Sequence, residues 1–121
     1  MFQILLHKKN DLEGTILSNL DWPLLETKDE WLVHGFSFPD YLNQLGPNAQ
    51  EEIFKRSSVD LAMRDAYRKI RDFLMHACNL SEDEAISLIS VAVDFGVTQV
   101  VDGNWGMHAS IKKAVFAGEG A

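Results

Sequence analysis

The chain predicts an α+β fold, mostly antiparallel β-strands with a two-helix hairpin inserted among them. Three observations carry this. The first third alternates short apolar runs with turn residues, the middle holds two amphipathic helices, and the tail returns to β-branched and alternating segments. The composition fits a folded unit. Of 121 residues, 46% are hydrophobic and 24% charged, far from the pattern of a disordered chain. This length suits one domain, 1–121, able to bury a core without disulfide staples.

Phe2–Leu6 is a candidate strand, followed by the turn-like Lys8-Lys9-Asn10-Asp11 and Gly14. Trp22 to Thr27 and Trp31 to Ser37 are apolar-rich runs separated by Lys28-Asp29-Glu30, a loop short enough to close a hairpin. Pro23 cannot donate to a ladder, so its strand belongs at an edge or begins there. These pieces make 1–37 the β-rich portion. Residues 38–57 form an irregular excursion punctuated by Pro39-Asp40 and Gly46-Pro47-Asn48, with a short helical piece around Ala49 to Lys55.

The helical hairpin spans 58–95. Ser58 caps a helix from Val59 to about Cys78, whose stripe is Val59, Ala62, Met63, Ala66, Tyr67, Ile70, Phe73, Leu74 and Ala77. Asp60/Arg64, Asp65/Lys69 and Arg68/Asp72 stand at four-residue spacing on the opposite face, where each pair is worth about 0.2–0.5 kcal/mol. Asn79-Leu80 breaks the pattern. Ser81-Glu82-Asp83-Glu84 then has the form of a capping box, with its acids at the positive end of the helix dipole. This second helix runs through Ala92 and Val93 and ends at Gly96. The closing strands occupy 97–116: Val97 to Val101, a turn at Asp102-Gly103-Asn104, then an alternating run from His108 to Phe116. Gly118 to Ala121 is read as a frayed end.

Several functions are excluded or disfavoured on composition. Eleven Lys+Arg against 18 Asp+Glu leave a net charge of −7, which opposes a nucleic-acid partner. No run of apolar residues is long enough for a membrane span, and the N-terminus lacks the basic start and long apolar core of a signal peptide. The single Cys78 cannot form an intrachain disulfide. A cytoplasmic protein is the expectation. Nucleotide, phosphate-loop, zinc-hydrolase, C-x-x-C and nucleophile-elbow motifs are absent.

The four histidines, His7, His34, His76 and His108, make no local metal-ligand spacing. His76, between Phe73 and Ala77, reads as a partly buried ring near a helix end. Cys78 lacks a suitable base, because His76 two residues away faces another direction. The most informative stretch is 99–108, where Gln99, Asp102, Asn104, Trp105 and His108 gather around two glycines. One reading is a tight turn, with Gly103 and Gly106 at positive φ and Asp102 or Asn104 bonding the local backbone. The other is a turn that presents Gln99, Asp102, Asn104 and His108 to a substrate pocket or a subunit contact.

The same region resembles a known family. Leu80 to Phe95, then Val97-Thr98-Gln99-Val100-Val101-Asp102-Gly103-Asn104-Trp105-Gly106, then a strand ending Ile111-Lys112-Lys113-Ala114-Val115-Phe116, resemble the C-terminal part of acetamidase/formamidase proteins. There a helix of the type L-S-x-E-E-A-x-x-L-x-S-x-A leads to a T-Q-V-V-D/N-G strand and a closing I-P-K-A-I/V-F strand. Lys112 stands where the last motif has proline, and Trp31 to Phe36 resembles the strand preceding the helical pair. The resemblance covers Trp31 to Phe116.

It implies hydrolysis of small linear amides such as formamide and acetamide, a mostly β fold with a helical pair, and a homo-oligomer. A divalent metal is implied for full-length members, whose His- and acid-rich stretch of the type D-x-H…G-D-G-E lies upstream of the matched part. That stretch is missing here; Asp102-Gly103 is the only Asp-Gly pair, and no Glu follows it. Two expectations follow. The chain is a truncated or split member that works with an N-terminal partner chain or as an oligomer, or it is a non-catalytic module that self-associates through β edges and Trp-bearing turns.

Overall fold

A computed structural model describes residues 1–18 and 20–117; the predicted frayed end, 118–121, lies outside the described residues. The architecture is α+β: one four-stranded antiparallel sheet with helices packed on one face. In chain order the strands are β1 (Leu24–Glu26), β2 (Glu30–Phe36), β3 (Val93–Gln99) and β4 (Gly106–Lys112). Their spatial order is β1-β2-β4-β3, so the helical segment is inserted between the second and third strands. The helices are α1 (Tyr41–Leu45), α2 (Ala49–Arg56), α3 (Val59–Ala77) and α4 (Glu82–Ala92).

The predicted hairpin forms, with Leu24 opposite Val33 and Glu26 opposite Trp31. Thr27 closes it: its hydroxyl accepts from the amides of Asp29 and Glu30 at 3.3 and 3.0 Å. Pro23 directly precedes β1, which lies at a sheet edge as a residue without an amide proton requires.

The core lies between α3 and the central strands. Ala62, Ala66, Ile70, Phe73 and Leu74 on α3 meet Val33 on β2 and Met107, Ala109 and Ile111 on β4. Gly35 sets the depth of this contact. A Cβ there would lie 2.7 Å from the Ala62 carbonyl oxygen and collide with the Ala66 amide, so only glycine lets the helix sit on the strand.

Local capping signals are realised as the sequence specifies. The Ser58 hydroxyl accepts from the Leu61 amide, and the reciprocal Ser81–Glu84 box starts α4. These bonds to Ser81 hold the Glu84 carboxyl below its usual pKa. Asn79, at φ 57°, makes the reversal between α3 and α4.

Other expectations are corrected. Phe2–Leu6 is not a strand among the described residues; it is extended and exposed, with no neighbour to complete a ladder. The second helix stops at Ala92, and Gly96 lies inside β3 rather than at a helix end. The reason is tertiary: a Cβ on Gly96 would lie 2.7 Å from the His108 imidazole, so the glycine serves strand pairing. Val100 and Val101 fall outside the strand, which begins at Val93 instead. The tail strand ends at Lys112, and Lys113–Phe116 is a short 3-10 turn. Lys113 anchors that turn by donating its amide to the Asp29 carbonyl, while Phe116 packs edge-on against Trp31.

Candidate functional site

The β3–β4 turn is held from both sides. Asn104 makes a two-point bond to the backbone of Phe38: its Oδ1 accepts from the Phe38 amide at 3.0 Å and its Nδ2 donates to the Phe38 carbonyl at 2.8 Å. The Ser37 amide donates to the Trp105 carbonyl, and the Ser57 hydroxyl donates to that of Gly103. Asn104 is therefore a strut that ties the turn to the excursion after β2.

Gly103 and Gly106 do not adopt positive φ; Gly14 and Gly46 do. Both turn glycines are needed for close approach instead. A Cβ at Gly103 would press on Ile53 and the Phe54 ring, and one at Gly106 would collide with the His34 imidazole.

An open cleft of about 310 Å³ lies between this turn and the excursion, lined by Tyr41, Gln50, Phe54, Asp102 and Asn104. Gln99 reaches its edge indirectly, with Nε2 donating to both Asp102 carboxylate oxygens at 3.2 and 3.1 Å. The Gln50 amide donates to the Tyr41 hydroxyl at 3.2 Å. Two of the four predicted site residues, Asp102 and Asn104, thus line one cleft, and Gln99 bonds to the first of them. The cleft offers a carboxylate acceptor, amide and phenol groups, and an aromatic wall, a set that can hydrogen-bond a small planar polar molecule.

His108 is elsewhere. It projects from the sheet face opposite the helices, directly across from His34 on β2 and Gly96 on β3. Its Nδ1 lies 2.9 Å from the Thr98 hydroxyl. The His34 pKa is lowered, first by burial, then by the charge of Lys69 and the neighbouring His108, against an opposing contribution from Asp65. The His34 Nε2 is buried over Gly106 without a hydrogen-bond partner among the described residues. Sequence spacing could not pair these imidazoles, because only strand register brings positions 34 and 108 together.

A buried ion pair also escapes sequence reasoning. Asp65 and Lys69 do not lie on a solvated face: they are 5% and 8% exposed, with Nζ 2.8 Å from Oδ2. They cap the part of the β2 edge that short β1 leaves uncovered. Asp65 accepts from the Phe36 amide at 2.9 Å, and Lys69 donates to the His34 carbonyl at 3.0 Å. A cleft of about 390 Å³ adjoins the pair, walled by Trp22, Pro23, Phe36 and Pro39. Arg68 reaches Asp65 at 3.9 Å rather than the expected Asp72.

The remaining chemistry-bearing residues do not combine. His76 is exposed rather than partly buried, with Nδ1 at 2.8 Å from the Asp72 carbonyl. Burial pushes the Cys78 thiol up in pKa, away from a nucleophilic thiolate. No group of three or more His, Cys, Asp or Glu able to hold a metal occurs among the described residues. The His34/His108 pair does not fit the implied divalent metal either, since one imidazole nitrogen is turned onto Gly106 and another is engaged by Thr98.

The fold is of the acetamidase kind. No protein-family model matches the chain, and no curated protein sequence matches it. Among solved structures, an acetamidase from Bacillus halodurans is similar, with a TM-score of 0.58 and 22% sequence identity. The likeness covers 82% of this chain and 27% of the acetamidase, so the chain spans about a quarter of that protein's length. At this identity the shared property is the fold. No helix among the described residues is long and apolar enough to cross a membrane.

Proposed function

We propose that this chain serves the hydrolysis of small linear amides, as the C-terminal portion of an acetamidase/formamidase-type enzyme in truncated or split form. The observation that carries this reading is the acetamidase likeness across 82% of the chain. The helix–strand–turn motif from Leu80 to Gly106 and the polar cleft at Asp102 support it.

Cleaving an unactivated amide requires an activated water or nucleophile, polarisation of the carbonyl and an acid for the leaving amine. The described residues supply binding groups for such a substrate. The Asp102 carboxylate, oriented by Gln99, accepts from the amide nitrogen, while Gln50 or Tyr41 donates to the carbonyl oxygen. The water-activating group then comes from the His- and acid-rich stretch, supplied by an N-terminal partner chain or by further sequence. In that role the protein works in the cytoplasm as a homo-oligomer or hetero-assembly, with no nucleic-acid or membrane partner.

The test is ammonia release from formamide and acetamide, with divalent metal added. It is run on the chain alone and on the chain co-expressed with a neighbouring reading frame that carries the missing stretch. Turnover in the co-expressed sample, reduced by Asp102→Asn through a raised KM, supports the reading. No turnover in either sample, with no metal by elemental analysis, overturns it. The alternative, a non-catalytic assembly module, draws on the exposed apolar segment at Phe2–Leu6.

A further inference from the structure

The first seven residues are unusual for a folded chain. Phe2, Ile4 and Leu6 are 97%, 93% and 90% exposed, and Leu5 is also exposed. Large apolar side chains left in water forgo the gain of burial, so this segment has strong reason to find a surface. Its residues have strand character, with Phe2, Ile4 and Leu6 falling on one side of an extended chain.

At the far edge of the sheet, β3 pairs only with β4 among the described residues, so its other side is an open edge. The seven residues of β3 extend about 23 Å, close to the reach of Phe2–Lys8. The three-residue β1 edge offers far less. Val93, Phe95 and Val97 share the helix-side face of β3, and Val97 and nearby Val91 are exposed beside the edge.

Charge sets a direction. The apolar segment is followed by His7, Lys8 and Lys9, whereas β3 carries exposed Asp94 as its second residue, just after α4, whose last turn holds no basic residue against its negative dipole end. An antiparallel register brings the lysines to that acidic end and Ile4 to Val97.

We propose that residues 2–8 add as a fifth strand to the open β3 edge of a second copy of this chain. Each copy gives its segment to the other in a closed two-fold dimer. The donor is a second copy because the segment leads into Ile16, Leu20 and Trp22, which pack beside α3 near β1. The chain's own β3 lies three strands away. This association stands apart from amide hydrolysis and is read by mass, not turnover.

The experiment is light scattering on the full chain at about 100 μM. The expected mass is twice the 13.6 kDa of one chain. Ile4→Glu/Leu6→Glu is expected to raise the dimer dissociation constant at least about a hundred-fold with unchanged circular dichroism, since both side chains are exposed in the single chain. In a Cys78→Ser background, a chain carrying Ile4→Cys mixed with one carrying Val97→Cys is expected to form a disulfide-linked pair. A monomeric chain, a dimer indifferent to the glutamates, or a doubly substituted chain that cross-links only to itself would each overturn the proposal.

Discussion

Two ion pairs on α3 have the same spacing and opposite fates. Asp60 and Arg64 meet at 3.4 Å with both side chains about 70% exposed, a contact of the kind worth about 0.5 kcal/mol or less. Asp65 and Lys69 meet at 2.8 Å under the sheet edge, where they also satisfy the Phe36 amide and the His34 carbonyl. The first pair decorates a helix. The second completes a sheet: where β1 ends, a carboxylate and an ammonium take over the ladder bonds that a longer strand would make. Charge spacing on a helix therefore says which residues can meet, and burial decides what the meeting is worth.

The strongest way to break this contrast is Lys69→Ala, which leaves Asp65 charged in a buried setting and the His34 carbonyl without its donor. The expected loss is about 3–5 kcal/mol of stability, measured by urea unfolding. Asp65→Leu/Lys69→Met is not expected to restore the wild type, because the Phe36 and His34 backbone groups stay unpaired at about 1–3 kcal/mol each.

Next in size, Gly35→Ala pushes α3 off β2 and lengthens both capping bonds. A loss of about 1–3 kcal/mol is expected, seen as a lowered denaturation midpoint.

A smaller effect concerns pH. The folded His34 has a pKa below its ordinary value, so below about pH 6.5 the unfolded chain takes up a proton that the folded chain refuses. The stability present above that pH is expected to decline as the solution is acidified, until the folded ring itself protonates. Thermal melts from pH 7.5 downward should show this decline, and His34→Gln should flatten it.

The smallest expected effect is Asp60→Ala, a change within about 0.5 kcal/mol by urea unfolding that shrinks further as added salt screens the exposed pair. A loss comparable to that of Lys69→Ala would erase the distinction between the two pairs.

Much of the fold was legible because its signals are local. The Ser81–Glu84 box, the Ser58 cap, the stripe of α3 and the loop after Thr27 each depend on residues within a few positions. The errors arise where a distant partner overrules the local pattern. Gly96 looks like a helix terminator until His108 is placed over it. Phe2–Leu6 looks like a strand but has no strand beside it.

The candidate site divides in the same manner. Gln99 and Asp102 are close in sequence and bond as neighbours, whereas Asn104 bridges to Phe38 and His108 joins His34, contacts with no short-range signature.

The sequence by itself determined the class, α+β with an inserted helical pair, because periodicity and capping act over one or two turns of chain. Only the tertiary structure decided which polar residues are buried, which glycines are indispensable, and which histidines face each other. Those outcomes depend on strand register and on the depth at which α3 sits on Gly35, and both are set by contacts between residues far apart in the chain.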